Sequence, residues 1–374
     1  MPSWLKEGRG SLCGANVSLL LREMGITKPL LVAGERTKNV FFARTGMRLP
    51  VFDAFHPNPD LQDCVAGAAL YQEKGCDGLI SIGGGSAMDT AKGIKALLMT
   101  DIAHVRANQL PSEGNVPHLA IPGTAGTGAE TTAVAVLYED GQKLSVDHPA
   151  LLPDGVLLDG SLLDTLPEYH RKSCAMDALA QGIESWWAKK ATPGSRIHAE
   201  RAIRGVLDNL TAYLQGDRKA QDEMLHAAYE SGVAILTTRT TAAHAMSYQI
   251  TKKLGAAHGH ACMLTLPHLW AHLAAQAEYQ PMLTELSRLL GGEKAMDGAI
   301  LLKGLLAVLE LDKIPMPDDA TLDMLAASVN PERLGNHPEV LTTAQLRAIY
   351  VQAFTPMTDT ERAEAIAAWE QYGK

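Results

Sequence analysis

Three consecutive glycines, Gly83-Gly84-Gly85, stand between a strand-like apolar run, Leu79-Ile-Ser-Ile82, and a segment that reads as the first turns of a helix, Ser86-Ala-Met-Asp89-Thr-Ala-Lys92. Glycine admits backbone conformations closed to other residues and lets a ligand come close to the main chain. The first N–H groups of the following helix point outward with the helix dipole behind them, an arrangement suited to a phosphate. The pattern is not the common GxGxxG fingerprint, and a plain tight turn is the competing reading. A second loop, Pro122-Gly-Thr124-Ala-Gly126-Thr127-Gly128-Ala-Glu130, follows another apolar run and sets hydroxyls beside glycines. Two such loops in one stretch of chain say more than either alone.

Glycine usage also divides the chain. Of the 33 glycines, 20 lie in the first 160 residues. Turns between short strands need glycine, whereas helix interiors exclude it. Strand-like runs at Leu30–Ala33, Val51–Phe55, Leu79–Ile82, Leu119–Ile121 and Val156–Asp159 are separated by helical stretches such as Ser18–Met24 and Leu61–Lys74. That alternation predicts a largely parallel sheet. Glu139-Asp-Gly-Gln142 predicts a hairpin joining Ala133–Tyr138 to Lys143–Val146. From Ser161 onward the apolar period is helical, at Ala175–Lys190, Arg196–Leu214 and Asp222–Leu236, after a capped start at Asp164–Pro167. The expectation is an α/β domain over 1–160 and an all-helical domain over 161–374, with a cleft between them as the default ligand site.

The chain has 374 residues, 46% of them apolar, and a formal charge of −9. This excludes a mostly disordered chain and argues against a nucleic-acid partner. No apolar run approaches the ~20 residues of a membrane span, and Met1–Glu7 lacks the apolar core of a signal peptide. Five cysteines, Cys13, Cys64, Cys76, Cys174 and Cys262, form no CxxC pair and read as reduced thiols in a cytoplasmic protein.

Asp177 and Gln181, four residues apart in a helical pattern, project from one face. His244 and His258 follow on either side of a helix end at Leu254-Gly255. A carboxylate with two imidazoles can hold a divalent first-row metal and polarise a substrate oxygen. By itself each histidine reads more readily as a structural residue, and an Asp/Gln pair at this spacing as a solvated face.

Taken together, Gly83–Asp89, Pro122–Glu130, Met176-Asp-Ala-Leu-Ala-Gln-Gly-Ile-Glu184, and His244 with Ala257-His-Gly-His260 resemble the iron-containing alcohol dehydrogenase family over nearly the whole chain. The resemblance implies a Rossmann-like dinucleotide-binding domain followed by an all-helical metal-binding domain, as in dehydroquinate synthase. It implies reversible hydride transfer between NAD(P)H and an aldehyde/alcohol pair, and a homodimer would be in keeping with it. The family's Asp and three His ligands fall here on Asp177, Gln181, His244 and His258, so Gln181 is a departure. An amide oxygen is a neutral and weaker ligand than imidazole, which leaves the ion, Fe2+ or Zn2+, open. A second departure is Tyr248, where many relatives carry a His near the reacting carbon. Tyr248 is a candidate proton donor to the nascent alkoxide, or a packing residue. His260 is a candidate relay, a substitute ligand or a core histidine.

By the same resemblance, Gly83, Gly84, Gly85, Ser86 and Asp89 match the pyrophosphate site, Thr124 and Thr127 its pyrophosphate and ribose contacts, Lys143 a cofactor-contacting hairpin and Asn58 an Asn-Pro turn. Gly34 stands where NAD-preferring members tend to place Asp. Without that carboxylate, Arg36, Thr37 and Lys38 can face a 2′-phosphate, and NADP(H) is expected over NAD(H).

Gln181, the His244–Lys253 stretch and Ser328–Arg333 are most similar to the phosphonoacetaldehyde reductase branch. That implies a small anionic aldehyde, with Arg239, Lys252 and Lys253 as candidates for its charged head; the same cations also read as a solvated helix face. Sulfoacetaldehyde and uncharged short aldehydes are the alternatives. Dehydroquinate synthases and glycerol-1-phosphate dehydrogenases share the plan but match the second glycine loop less well. A nucleotide-binding protein that has lost its metal is the reading from another class.

Overall fold

The computed structural model describes residues 6–112 and 116–372. Two compact units, Met1–Thr165 and Leu166–Lys374, divide the chain.

In the first unit, β1 (Lys6–Arg9), β2 (Pro29–Ala33), β3 (Val51–Phe52), β4 (Gly78–Gly83), β5 (His118–Pro122) and β8 (Gly155–Leu158) form one six-stranded sheet in the order β1-β8-β5-β4-β2-β3. Every pairing in it is parallel. The helices α1 (Gly14–Glu23), α2 (Glu35–Thr45), α3 (Leu61–Lys74), α4 (Gly85–Met99) and α5 (Ile102–Arg106) connect the strands.

Strands covered on both faces need apolar residues at successive positions, which is why they appear in the sequence as continuous runs. Leu30, Val32 and Leu79 pack on one face with Leu61, Ala91 and Ile94 of α3 and α4. Leu31, Ala33, Ile80, Ile82 and Ile121 pack on the other with Val17 and Phe41 of α1 and α2. The hairpin is a separate antiparallel pair, β6 (Val134–Glu139) and β7 (Gln142–Asp147). Its turn residues Asp140 and Gly141 both have positive φ, 49° and 71°, the geometry that favours Asp-Gly there.

Two strands differ from the sequence reading. β1 was not anticipated: Lys-Glu-Gly-Arg has no apolar pattern, and its place is fixed by pairing with β8 at the edge. The run at Val51–Phe55 is a strand only at Val51–Phe52, because the chain turns away ahead of Pro57 and Pro59, with Asn58 between them at φ 58°.

The second unit is helical throughout. Its first half comprises α6 (Glu168–Trp187), α7 (Pro193–Leu214), α8 (Arg218–Thr238), α9 (Ala242–Gln249) and α10 (His258–Ala274). A π turn, Ile250–Leu254, extends α9 and ends at Gly255 with φ 74°. The second half comprises α11 (Gln280–Leu289), α12 (Asp297–Val308), α13 (Asp319–Ala327), α14 (Pro331–Leu334), α15 (Thr343–Phe354) and α16 (Asp359–Tyr372). Among the described residues no helix is long and apolar enough to cross a membrane.

Candidate active site

In the first unit the strand order reverses beside β2, with β3 on one side and β4 on the other. Loops that leave neighbouring parallel strands for opposite faces open a crevice at the strands' carboxyl ends, where nucleotides bind in such sheets. Gly34 leaves β2 there, Gly83–Gly85 leave β4, and Gly123–Gly128 leave β5. Gly83 needs to be glycine, since its φ is 145°. Its carbonyl accepts from Gly123 N–H at 2.7 Å, so the two glycine loops lie against each other. A Cβ at Gly84 would stand 3.2 Å from Thr124, and one at Gly85 would stand 3.6 Å from Thr127. Asn58 N–H donates to Ser86 Oγ at 3.3 Å, bringing the Asn-Pro turn to the same place.

Lys92, one of the largest fully buried side chains, ties this region together. Its ammonium donates to Ala129 O, Thr132 Oγ1 and Val134 O at 2.7, 3.1 and 2.9 Å, fastening the second glycine loop to α4. Burial pushes Lys92 down to about 8, and Asp89 and Glu130 counter that in part. Glu130 is buried with Oε1 unpartnered, and burial pushes it up to about 7. Burial also pushes Asp89 up to about 6, opposed by Lys92, the Val136 N–H and Lys143 of the hairpin. Arg36 bonds Thr165 Oγ1, and Lys38 is held by Glu35 and Asp53 at 2.5 and 2.7 Å.

In the second unit, Asp177 on α6, His244 on α9, and His258 and Cys262 on α10 come together. One ligand atom from each lies within 4.8 Å of all the others. Asp177 Oδ1 is 3.2 Å from His244 Nε2 and 3.9 Å from His258 Nε2, and Cys262 Sγ is 3.9 Å from His258 Nε2. Donors about 2.0–2.3 Å from a tetrahedral ion would lie roughly 3.3–3.7 Å apart, so the set is near the spacing a divalent metal requires. Gly259 makes the approach of α10 to α6 possible. A Cβ there would fall 2.0 Å from Ser173 O and 2.6 Å from Asp177 N.

The imidazoles are oriented from behind. Glu184, two turns beyond Asp177 on α6 and fully buried, accepts at Oε1 from Thr241 N–H (3.0 Å), Thr241 Oγ1–H (2.7 Å) and Ala243 N–H (3.0 Å). It thereby caps the N-terminus of α9, where a carboxylate is favoured by the dipole. Its Oε2 pairs with His244 Nδ1, so Nε2 turns toward Asp177. A carboxylate behind a ligating histidine is the usual support in metal sites. Burial by itself would raise the carboxyls of Glu184 and Asp177, but the neighbouring histidines hold both below the ordinary range. For His258, the Ser247 hydroxyl donates to His244 O at 2.8 Å and can accept from Nδ1 at 3.3 Å, which leaves Nε2 for a ligand. Burial raises the Cys262 thiol, but His244 and His258 outweigh it and hold the group at about 7.

The cluster is closed on most sides: Asp177, His244 and Cys262 are 2%, 4% and 0% exposed. The His258 side chain is 37% exposed and forms the open flank, where the Tyr248 ring stacks on it with 6.1 Å between centroids. His244 and Tyr248 are one turn apart on α9, and the exposed Lys252 and Lys253 follow in the π turn. Arg239 ends α8 at φ 64°, held between the Thr238 and Thr240 carbonyls, both of which accept from Asn336.

Two further candidates have hydrogen-bond partners within the second unit. The Gln181 amide oxygen accepts from Ser231 Oγ on α8 at 2.7 Å. His260 donates from Nε2 to Leu311 O at 2.8 Å, and its Nδ1 accepts from Tyr169 Oη at 3.1 Å. Both ring nitrogens of His260 are thus engaged by protein partners, which is in keeping with the core-histidine reading among the three open for it. Burial lowers its pKa in keeping with a neutral ring.

Glu184, Lys92 and Cys262 were not singled out from sequence. The signals were present for two of them: Asp177, Gln181 and Glu184 repeat at helical spacing, and Cys262 is one turn beyond His258.

The iron-containing alcohol dehydrogenase family model matches residues 3–160, and that family's C-terminal model matches residues 172–354. The chain belongs to the iron-containing alcohol dehydrogenase family. It is 34% identical over 250 residues to the probable alcohol dehydrogenase EutG of Escherichia coli, an alignment covering 65% of this chain and 60% of that protein. It is 36% identical over 228 residues to phosphonoacetaldehyde reductase of Streptomyces viridochromogenes, covering 57% and 58%. The alignments therefore span less than two thirds of either relative. Sulfoacetaldehyde reductase of Bifidobacterium kashiwanohense, solved in complex with NAD+, superposes with a TM-score of 0.85 at 26% identity, covering 95% of this chain and 97% of that one.

Proposed function

We propose that this protein reduces a small anionic aldehyde to its primary alcohol with NADPH, and that phosphonoacetaldehyde is the substrate, giving 2-hydroxyethylphosphonate. The observation that carries the reading is the partly exposed His258 side of the Asp177/His244/His258 group, bordered by Tyr248 with Lys252 and Lys253 following along the same helix. When bound, a divalent cation supplies Lewis-acid polarisation of the carbonyl, and the reduced nicotinamide supplies the hydride.

The remaining roles fall to the chain. Lys252 and Lys253 bind the phosphonate by charge-assisted hydrogen bonds, and Arg239 contributes to the same field. Tyr248 Oη gives a proton to the product oxygen and regains one from water. Glu184 and Ser247 fix the His244 and His258 tautomers. Gly83–Ser86, Asp89, Asn58, Thr124, Thr127 and Lys143 bind the cofactor's phosphates and ribose. Gly34 leaves room for a 2′-phosphate, for which Lys38 would exchange one of its two carboxylates.

Sulfoacetaldehyde is the second reading, supported by the structural relative that reduces it. The test is steady-state oxidation of NADPH and of NADH by metal-loaded protein against phosphonoacetaldehyde, sulfoacetaldehyde and propionaldehyde. The reading expects the highest kcat/KM for the phosphonate with NADPH. Equal values for propionaldehyde would remove the anionic substrate, a clear NADH preference would overturn the cofactor choice, and no oxidation with any aldehyde would favour a non-catalytic nucleotide binder.

A further inference from the structure

The family pattern leaves the metal group one imidazole short, because Gln181 stands at its second position. The Gln181 carbonyl oxygen is already bonded to Ser231 on α8. Cys262 joins the group from α10. It is one turn beyond His258 on α10, so both side chains leave the same face of that helix. It is 0% exposed, and its Sγ is within 4.8 Å of the ligand atoms of Asp177, His244 and His258.

We propose that Cys262 is the fourth protein ligand of this metal site, making an Asp/His/His/Cys set that selects Zn2+ over Fe2+. This rests on the metal-binding reading of the same group and adds its donor and its ion. Three observations support it. The 3.9 Å separation from His258 Nε2 is close to the edge expected between a sulfur and a nitrogen donor on one tetrahedral ion. His258 keeps Nε2 for the metal by giving Nδ1 to Ser247. A thiolate is a softer donor than either an amide oxygen or imidazole, and sulfur ligation moves preference toward zinc. Binding displaces the thiol proton to solvent, so no oxidant or reductant is involved.

The experiment uses full-length protein loaded with Co2+ as a spectroscopic stand-in for zinc, and competition with a chelator for Zn2+. The wild type is expected to show a sulfur-to-cobalt charge-transfer band in the near ultraviolet. The band disappears in Cys262→Ser and Cys262→Ala and persists in Gln181→Ala and in Cys174→Ser, a thiol three residues before Asp177. Zn2+ affinity falls more than about a hundredfold in the Cys262 variants, beyond the roughly 10–100-fold that loss of a supporting partner typically costs. Protein exposed to equal Zn2+ and Fe2+ without oxygen retains zinc. Cobalt bound without the band, or a band that survives Cys262→Ala, overturns the thiolate ligand, as does failure of the wild type to bind metal. The reading depends on the wild-type spectrum first, so a variant that misfolds does not rescue it. Aldehyde reduction is scored separately: a thiolate band in an inactive protein removes the reductase and keeps the ligand, while activity without the band does the reverse.

Discussion

Replacing Glu184 with Gln changes one atom and no shape, yet the surroundings force a consequence at the proposed metal site. The amide oxygen can occupy only one of the two carboxylate positions. Oε1 accepts from the Thr241 N–H, the Thr241 hydroxyl and the Ala243 N–H, so the oxygen belongs there. The amide NH2 then faces His244 Nδ1, which in the wild type pairs with a carboxylate oxygen. Two donors cannot share that bond, so the His244 proton moves to Nε2, the nitrogen 3.2 Å from Asp177 Oδ1 and needed for the metal. Loss of such a supporting partner costs about 10–100-fold in metal affinity, or roughly 1.4–2.7 kcal/mol. The helix cap survives in neutral form, so far-ultraviolet circular dichroism should be unchanged. Chelator competition for Zn2+ on the two proteins reads the effect directly. A Glu184→Gln protein that folds and binds zinc as tightly as the wild type would refute the tautomer argument.

Other outcomes follow from the same geometry. Lys252→Gln with Lys253→Gln should raise KM for phosphonoacetaldehyde much more than for propionaldehyde; equal changes in steady-state kinetics would take both lysines out of the anion site. Gly259→Ala forces α10 away from α6 and should cost about 3 kcal/mol, lowering the melting temperature by roughly 6–12 °C while also weakening metal binding. Burial holds Glu130 at about 7, above its ordinary 4.5. The folded state therefore binds the extra proton, and the Glu130 contribution to stability, complete below pH 4.5, is lost as pH rises through 7. Urea unfolding of the cofactor-free protein should show a loss of about 2 kcal/mol between pH 5 and 8 that Glu130→Gln removes, and identical pH profiles would sink it.

Much of the fold was legible in the sequence because its cues are local. Runs such as Leu79–Ile82 lie on doubly covered strands, so apolar continuity marked them without any knowledge of their neighbours. Asp140-Gly141 specified its turn through backbone preference alone, and Gly255 marked the end of the π turn by its positive φ. Lys6-Glu-Gly-Arg9 of β1 carried no such cue, since its register comes from pairing with β8, far along the chain.

For the candidate site, the sequence by itself placed the glycine loops after strand-like runs and offered the Asp177 carboxylate and the two imidazoles as candidate ligands, which their likeness to a family pattern singled out. Only the tertiary structure decided what surrounds them. It set Lys92 under the second glycine loop, Glu184 behind His244, the ring of His260 against Tyr169 and Leu311, and the Cys262 sulfur beside His258. The physical reason is that a buried polar group must take its partner from whichever helix packs against it. That choice depends on how closely backbones approach, as Gly259 permits at Asp177, and spacing along the chain does not encode it.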